Sequence, residues 1–484
     1  LRTTTAERTT TMRLNKFLSL AAVAVLSTSL LNALPSFAHE AIEEELTDGV
    51  FTYEFNDDNE YIIVDCDGSS SFTEIPAIVN GYSVVEIGED ALAGCTYVKE
   101  LKIPDTVKTI GAGAFASCSG LTKIEFSDKL TEIPEGALMG CANLKEAVLP
   151  ESLETIGVGA FYGCSSLETL DIPDTVTTIG DYAFQRCYAL KEMNIPAAVE
   201  SFSETALIEC PVIETITAEG NSNYKVEDNV LYSSDGKTLI HAAAASVSGS
   251  VYISDNVTAI SSGAFSYCSE ITELFIPSSV KKIGDLAFYF CTRLRSVDFS
   301  EGLSEIGSLA FGSCTALETV EIPTTVSALK SQVFCDNAAL TKVIIPETVK
   351  TVEEGAFFAC SNLKNIIIPK SIDIIGDYAF GYTFNSAGTD YAAVEGFSMS
   401  VYSGSAAEKY AKKSGFEYTT VDNSLKKVAF IVIAVGLILA AAVFAVVLMR
   451  KGKKGAPASV KKAEAEKAEE EENENYDGIV SEDE

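Results

Sequence analysis

The chain contains no tryptophan and only two histidines, His39 and His241, in 484 residues. Two imidazoles supply general acid–base or metal chemistry thinly. No two cysteines have the Cys-x-x-Cys spacing, so the twelve cysteines do not read as a zinc site. Positive charge is scarce as well: 35 Lys and Arg stand against 69 Asp and Glu, a formal charge of −34. A phosphate polymer would be repelled, which argues against DNA or RNA as a partner. Neither a Gly-rich phosphate loop nor a nucleophile paired with a base is found. No catalytic residue, cofactor or metal ligand is assigned, and a non-catalytic chain is expected.

What the chain has is a period. The stretch Cys164 to Cys187 is one copy of a 23-residue unit that recurs with substitutions. Taking Phe184 as phase marker, the same slot holds Leu92, Phe115, Leu138, Phe161, Phe184 and Leu207. After an interruption it resumes at Phe265, Phe288, Phe311, Phe334, Phe357 and Phe380. Within the unit, Leu167, Leu170 and Ile172 suit the inward face of a short strand, with Asp171 outward. Pro173 then stops the ladder. Val176 and Ile179 give a second inward pair, and Gly180 permits a corner. Ala183, Phe184 and Cys187 fit one helical or 3₁₀ turn. No single unit can bury these groups alone, so stacking is required. Length would suggest two or three globular domains, but a stack grows by addition and needs no central core.

The recurring pattern Leu-xx-Ile-x-Ile-Pro-xx-Val-xx-Ile-Gly-xx-Ala-Phe-xx-Cys resembles the BspA-like class of bacterial leucine-rich repeat (LRR) surface proteins, over about Phe51 to Thr420. Departures are small: Leu92, Leu138 and Leu207 replace Phe, and Asn337 or Thr383 stands where Cys is expected. The expected fold is an α/β repeat solenoid with a 23-residue period, short parallel strands and a β-hairpin insertion, plus one C-terminal transmembrane helix. The resemblance implies adhesion to proteins or to other cells.

Residues 1–11 are polar, threonine-rich and are expected not to be native, with Met12 the initiator. Arg13 and Lys16, an apolar run to Leu34 and the small residues Ser36 and Ala38 read as a signal peptide over 12–38. Residues 39–90 form an N-terminal cap and degenerate first coil, with strands Phe51–Phe55 and Tyr61–Val64 around the turn Asn56 to Asn59. The solenoid spans 91–400. Between Leu207 and Phe265 lie 58 residues, two periods plus twelve, and the excess is a hairpin insertion at about 218–250. There Val230-Leu-Tyr and Thr238-Leu-Ile flank Ser234-Asp-Gly. Its acids Glu227, Asp228 and Asp235 match no calcium loop and read as solvated turn residues. Residues 385–396 look like loop. Residues 401–427 form a C-terminal cap and juxtamembrane segment, with a helix from N-cap Ser405 to Ser414 stopped by Gly415. The apolar run 428–449 is long enough to cross a bilayer. The basic residues Arg450 to Lys454 place the following tail, 450–484, in the cytoplasm, where it is too polar to fold. Leader and basic flank together give a single-pass type I topology at the cell surface.

Ten cysteines share one phase, from Cys95 to Cys360, with Cys66 and Cys335 outside it. A stacked column would point every Cβ the same way and make a disulfide dihedral hard to reach. Buried free thiols are expected.

Outward strand positions line one continuous face, the usual binding surface of such arrays. Its central row runs Lys102, Glu125, Val148, Asp171, Asn194 and Thr217, then Phe275, Asp298, Glu321, Ile344 and Ile367. The C-terminal five are the candidate ligand-binding residues, although β-branched residues also favour a strand for its own sake. A second candidate is the aromatic set Tyr162, Tyr267, Tyr289, Phe290, Phe358 and Tyr382, which can equally pack between coils. The expected partner is an extracellular protein or glycan. A passive envelope spacer and a receptor signalling through the tail are the alternatives.

Overall fold

A computed structural model describes residues 46–385, 387–388 and 390–421. The expected leader (12–38), the apolar span (428–449) and the flanking segments 1–11 and 450–484 lie outside the described residues. Among the described residues no helix is long and apolar enough to cross a membrane.

Each coil adds short strands to parallel columns. Glu100–Lys102, Lys123–Glu125 and Glu146–Val148 pair in a register that steps by one period, Glu100↔Lys123↔Glu146. A second column joins Glu132–Ile133, Thr155–Ile156, Thr178–Ile179 and Ser201–Phe202 in the same way. The 23-residue period is thus the ladder register itself. Leu167, Leu170 and Ile172 are buried and Asp171 exposed, as the alternation predicts, although no strand forms there.

The predicted helical turn is absent, and the fold is a β-solenoid rather than α/β. From Gly159 to Cys164 alternate N–H groups look in different directions. Ala160, Tyr162 and Cys164 donate to the carbonyl three residues back, whereas Gly159, Phe161 and Gly163 donate to Asp181, Ala183 and Gln185 on the next coil. An α-helix sends every N–H back along its own chain. Here half of them tie coil to coil, so the segment is a chain of tight turns.

Gly180 does sit at a corner, but its φ is not left-handed. A Cβ on it would stand 2.9 Å from the carbonyl carbon of Gly157 and the nitrogen of Val158. The recurring glycine allows successive coils to approach.

The Phe slots stack into a buried column. Ring centroids from Phe265 through Phe288, Phe311, Phe334 and Phe357 to Phe380 are 5.0–5.5 Å apart. Beside it run the thiols, all free and, Cys66 apart, buried. Those of the column share one contact to the coil before: Cys187 Sγ donates to the Phe161 carbonyl at 3.3 Å and Cys314 Sγ to the Phe288 carbonyl at 3.2 Å, and Cys118, Cys141, Cys164, Cys210, Cys291 and Cys360 do the same in their coils. Asn337 does the same work, its Nδ2 donating to the carbonyls of Phe311 and Phe334 at 2.9 Å. Burial pushes the Cys164 and Cys210 pKa up to about 12, as expected for inert thiols.

The insertion is larger than the predicted hairpin. Tyr224–Glu227, Val230–Ser233 and Thr238–Ala242 form an antiparallel trio, and the last strand then pairs parallel with Ala259–Ile260. Leu231 and Ile240 belong to one apolar core, running back to Phe51, while Val230 and Leu239 belong to the other, running on to Phe416. The trio is a seam whose alternate side chains go to the two halves. His241 is buried within it, both ring nitrogens without a partner, and burial lowers its pKa to about 4.

At the first end, Phe51–Phe55 and Tyr61–Cys66 pair antiparallel, and the latter runs parallel to Tyr82–Ile87. At the other end the helix Ala406–Ser414 has Ser405 as N-cap and left-handed Gly415 as C-cap. Its Tyr410 hydroxyl donates to the Phe380 carbonyl at 2.8 Å and accepts from the Phe380 N–H at 3.0 Å, closing the Phe column where no further coil exists among the described residues. Within the loop expected over 385–396, Tyr391–Ala393 instead forms a strand, paired antiparallel with Tyr382–Phe384 just before it.

Candidate functional site

The strand face is built from the residues that flank the buried middle residue of each short strand, and these outward side chains recur at each coil. In the N-terminal half those side chains are mostly charged and neutralise each other. Lys102 meets Glu125 at 2.6 Å, Lys123 meets Glu146 at 2.5 Å and Lys191 meets Glu168 at 2.6 Å, each pair one coil apart. The carboxylate of Glu125 raises the pKa of Lys102 through this hydrogen bond. Exposed pairs of this kind add little to stability. They do tie up the charge that a ligand would otherwise meet.

The C-terminal half differs. Strands Gly249–Tyr252, Ile271–Ile276, Ser296–Phe299, Thr319–Glu321 and Lys342–Ile344 form one parallel sheet. Its register puts Phe275 beside Asp298 and Glu321 beside Ile344. Asp298 and Glu321 are exposed, and among the described residues neither forms an ion pair. Phe275 and Ile344 are half-buried, and Ile367 is 49% exposed. The strand Asn365–Ile367 opens a separate sheet with Ser398–Val401 and Glu417–Thr420, so Ile344 and Ile367 are neighbours without a shared ladder.

The structure adds one residue to the outward row. Tyr252 pairs with Phe275 in register, and their rings stack at 4.4 Å with planes 2° apart. Tyr252 is 67% exposed, the most open large apolar side chain among the described residues. Its position is one period before Phe275. Val251, Ile253, Val257 and Ile260 keep the inward slots of the repeat around it, so counting back 23 residues finds it; the outward row read from the sequence starts at Phe275 because the Phe slot resumes only at Phe265.

The second candidate set does not form one surface. Tyr267, Tyr289 and Phe290 cluster, with Tyr267 stacked on Phe290 at 4.9 Å. Phe358 packs with Phe384 and Tyr391, and Tyr382 with Tyr378 and Phe416, at the C-terminal end. Tyr162 stands apart beneath the Arg186 guanidinium, 5.7 Å from its ring centre. All six are half-buried. The Tyr267 group lies near the ion pair of exposed Arg186 with buried Glu209, which accepts from Arg186 Nε at 2.8 Å and from Gln185 Nε2 at 3.0 Å. Burial, and secondarily the Glu209 carboxylate, pushes the Tyr267 pKa up to about 12. No group of three or more His, Cys, Asp or Glu side chains among the described residues has the geometry to hold a metal ion. Asp235 is held inside its own turn, accepting from Ser233 Oγ and the Lys237 N–H, bonds that lower its pKa.

The profile described as "BspA type Leucine rich repeat region (6 copies)" matches residues 68–188, 120–238 and 249–387, well over half of the chain. No curated relative matches. Among solved structures, the chain is similar to a leucine rich cell surface protein from Faecalibacterium prausnitzii A2-165, with 28% identity and a TM-score of 0.57, over 69% of this chain and 94% of that one. A leucine-rich repeat protein from Eubacterium ventriosum shares the fold at 24% identity and a TM-score of 0.53, over 69% and 92% of the two chains. So does the pneumococcal vaccine antigen PcpA, at 20% identity and a TM-score of 0.57, over 78% and 98%. The stacked coils, their 23-residue register and this profile agree: the chain belongs to the BspA-type leucine-rich repeat family.

Proposed function

We propose that the chain is a bacterial cell-surface, single-pass membrane protein that binds an extracellular protein or glycan through the C-terminal half of its strand face. The observation that carries this reading is the exposed Tyr252–Phe275 stack. A flat aromatic pair in water gains on being covered, and the neighbouring carboxylates of Asp298 and Glu321 offer acceptors to hydroxyls or cations. Ile344 and Ile367 extend the patch with apolar area. The cell-surface location is supported by the Faecalibacterium relative's description and by the leader and apolar span read from residues 12–38 and 428–449. The fold supports an interaction scaffold without deciding the ligand.

The test uses the full-length chain against a printed glycan array and a panel of immobilised extracellular proteins. Saturable binding is expected, and it falls at least tenfold in the double variants Tyr252→Ala/Phe275→Ala and Ile344→Lys/Ile367→Lys. Loss instead in Tyr267→Ala/Tyr289→Ala, with the strand-face variants unchanged, moves the site to the aromatic cluster and overturns the proposal. Protease treatment of intact cells checks location: fragments of residues 46–421 should be released.

A further inference from the structure

A cleft of about 440 Å³ lies away from the strand face, on the turns that carry the Phe column in the first coils. Its floor is one register position. Asp90, Gly113, Gly136, Gly159 and Tyr182 are each one period apart, and all have left-handed φ between 55° and 66°. Three successive coils thus lack a side chain at this position, a run of roughly 14 Å at the ~4.8 Å spacing of parallel strands.

The backbone does not demand those glycines. The same position in later coils holds Leu286, Leu309 and Gln332, with φ of 58°, 58° and 55°. There the side chains fill the space: Leu309 packs against Gly312, and Gln332 lies over Gly355. In the early coils a Cβ on Gly136 or Gly159 would find nothing nearer than 3.9 or 3.7 Å. The trough is therefore a property of these coils and not of the repeat.

Its ends differ in chemistry. Asp90 lays a carboxylate oxygen over Gly113, with Glu89 and Glu135 beside it. Toward the other end the walls are Met139, Val158, Tyr162 and Tyr182, of which Met139, Val158 and Tyr182 are 45%, 42% and 43% exposed. The floor offers no open backbone partner for strand addition. The Gly136 and Gly159 N–H groups donate to Val158 and Asp181, and their carbonyls accept from Met139 and Tyr162. No lysine or arginine lines the cleft. The polar groups at the acidic end are acceptors, so the occupant must bring donors and positive charge there, and apolar surface at the other end.

We propose that this trough binds an extended peptide segment of a partner protein, with a lysine or arginine seated at Glu89, Asp90 and Glu135 and a following apolar side chain against Tyr162 and Tyr182. Extended chain rises about 3.4 Å per residue, so the glycine floor accommodates about four residues. The site is independent of the strand face, and its variants leave that face intact.

Fluorescence anisotropy on the full-length chain tests it, with fluorescein-labelled pentapeptides that place two arginines before or after a leucine–tyrosine–valine segment. The same peptides with glutamate for arginine are the controls. The arginine peptides should bind saturably and one orientation better, with affinity falling as salt rises. Gly136→Leu/Gly159→Leu, which copies Leu286 and Leu309, should weaken binding at least tenfold, with the fold retained at a somewhat lower melting temperature because both positions have left-handed φ. Glu89→Gln/Glu135→Gln should reduce both affinity and salt dependence, and it serves if the leucine variant fails to fold. Equal binding of the glutamate peptides, no saturable binding of any arginine peptide, or undiminished affinity in the filled or neutralised trough would each overturn the proposal.

Discussion

Phe311→Ala probes the column on which the stack is built. The ring is fully buried, stacked on Phe288 at 5.0 Å and Phe334 at 5.5 Å, with Phe299 edge-on at 5.5 Å. Removing about 150 Å² of apolar ring costs about 4 kcal/mol at 25 cal/mol/Å². Collapse into the hole is limited, because the backbone of both flanking residues is tied to the next coil, the Phe288 N–H donating to the Ala310 carbonyl and the Phe334 N–H to the Ala356 carbonyl. The loss should lie near the upper part of the usual 3–5 kcal/mol range for Phe→Ala. Phe311→Leu should cost much less, about 1 kcal/mol, since Leu138 fills the same slot while fully buried. Urea unfolding followed by circular dichroism reads both. Because each coil touches only its neighbours, the alanine variant should also split the transition, with the coils around Phe311 opening first. A loss under about 1.5 kcal/mol, or leucine as costly as alanine, would refute the column as the organising element.

Three further outcomes follow from the same packing. Asn337→Cys should match or exceed the parent in urea midpoint, because a thiol keeps the donor to the Phe311 carbonyl and removes the buried, unpartnered Oδ1. Asn337→Leu should lose about 1–3 kcal/mol by leaving that carbonyl without its donor, and a leucine variant as stable as the parent would contradict this. His241 is neutral when folded, with a pKa of about 4, against 6.5 when exposed. The unfolded chain therefore gains a proton first, so stability is full above about pH 6.5 and declines toward pH 4, by on the order of 3 kcal/mol. Unfolding at pH 7 and pH 4.5 should show a smaller decline for His241→Leu, and parallel declines would dismiss the histidine. Gly180→Ala forces a Cβ to within 2.9 Å of the previous coil's backbone and should lower stability by about 1–3 kcal/mol, read as a drop in melting temperature.

Much was written in the sequence because repetition multiplies a weak local signal. One Leu-xx-Leu-x-Ile run says little, but a slot that returns every 23 residues can only be a register between like coils, and the observed step Glu100↔Lys123↔Glu146 is that register. The cap helix was legible for a different reason: Ser405 and Glu408 act within its first turn and Gly415 closes its last, so each piece of the chemistry is local. The turn beside each Phe was misread as helix because Ala-Phe-xx-Cys has helical spacing. Only stacking sends alternate N–H groups to the next coil. Likewise Gly180 looked like a demand on φ and proved to be a demand on the distance between coils.

The sequence alone determined what repeats: the period, the inward slots and the thiol column. Tertiary structure decided what does not repeat. Tyr252 keeps the period of Phe275, but the stacking and exposure of the two rings follow from the path of the strand after the three-stranded insertion, and the trough opened because the space over glycines on adjacent coils stays clear. Periodicity predicts contacts between equivalent residues. It carries no information where the equivalence is broken, and there the path of the backbone through space sets which side chains meet.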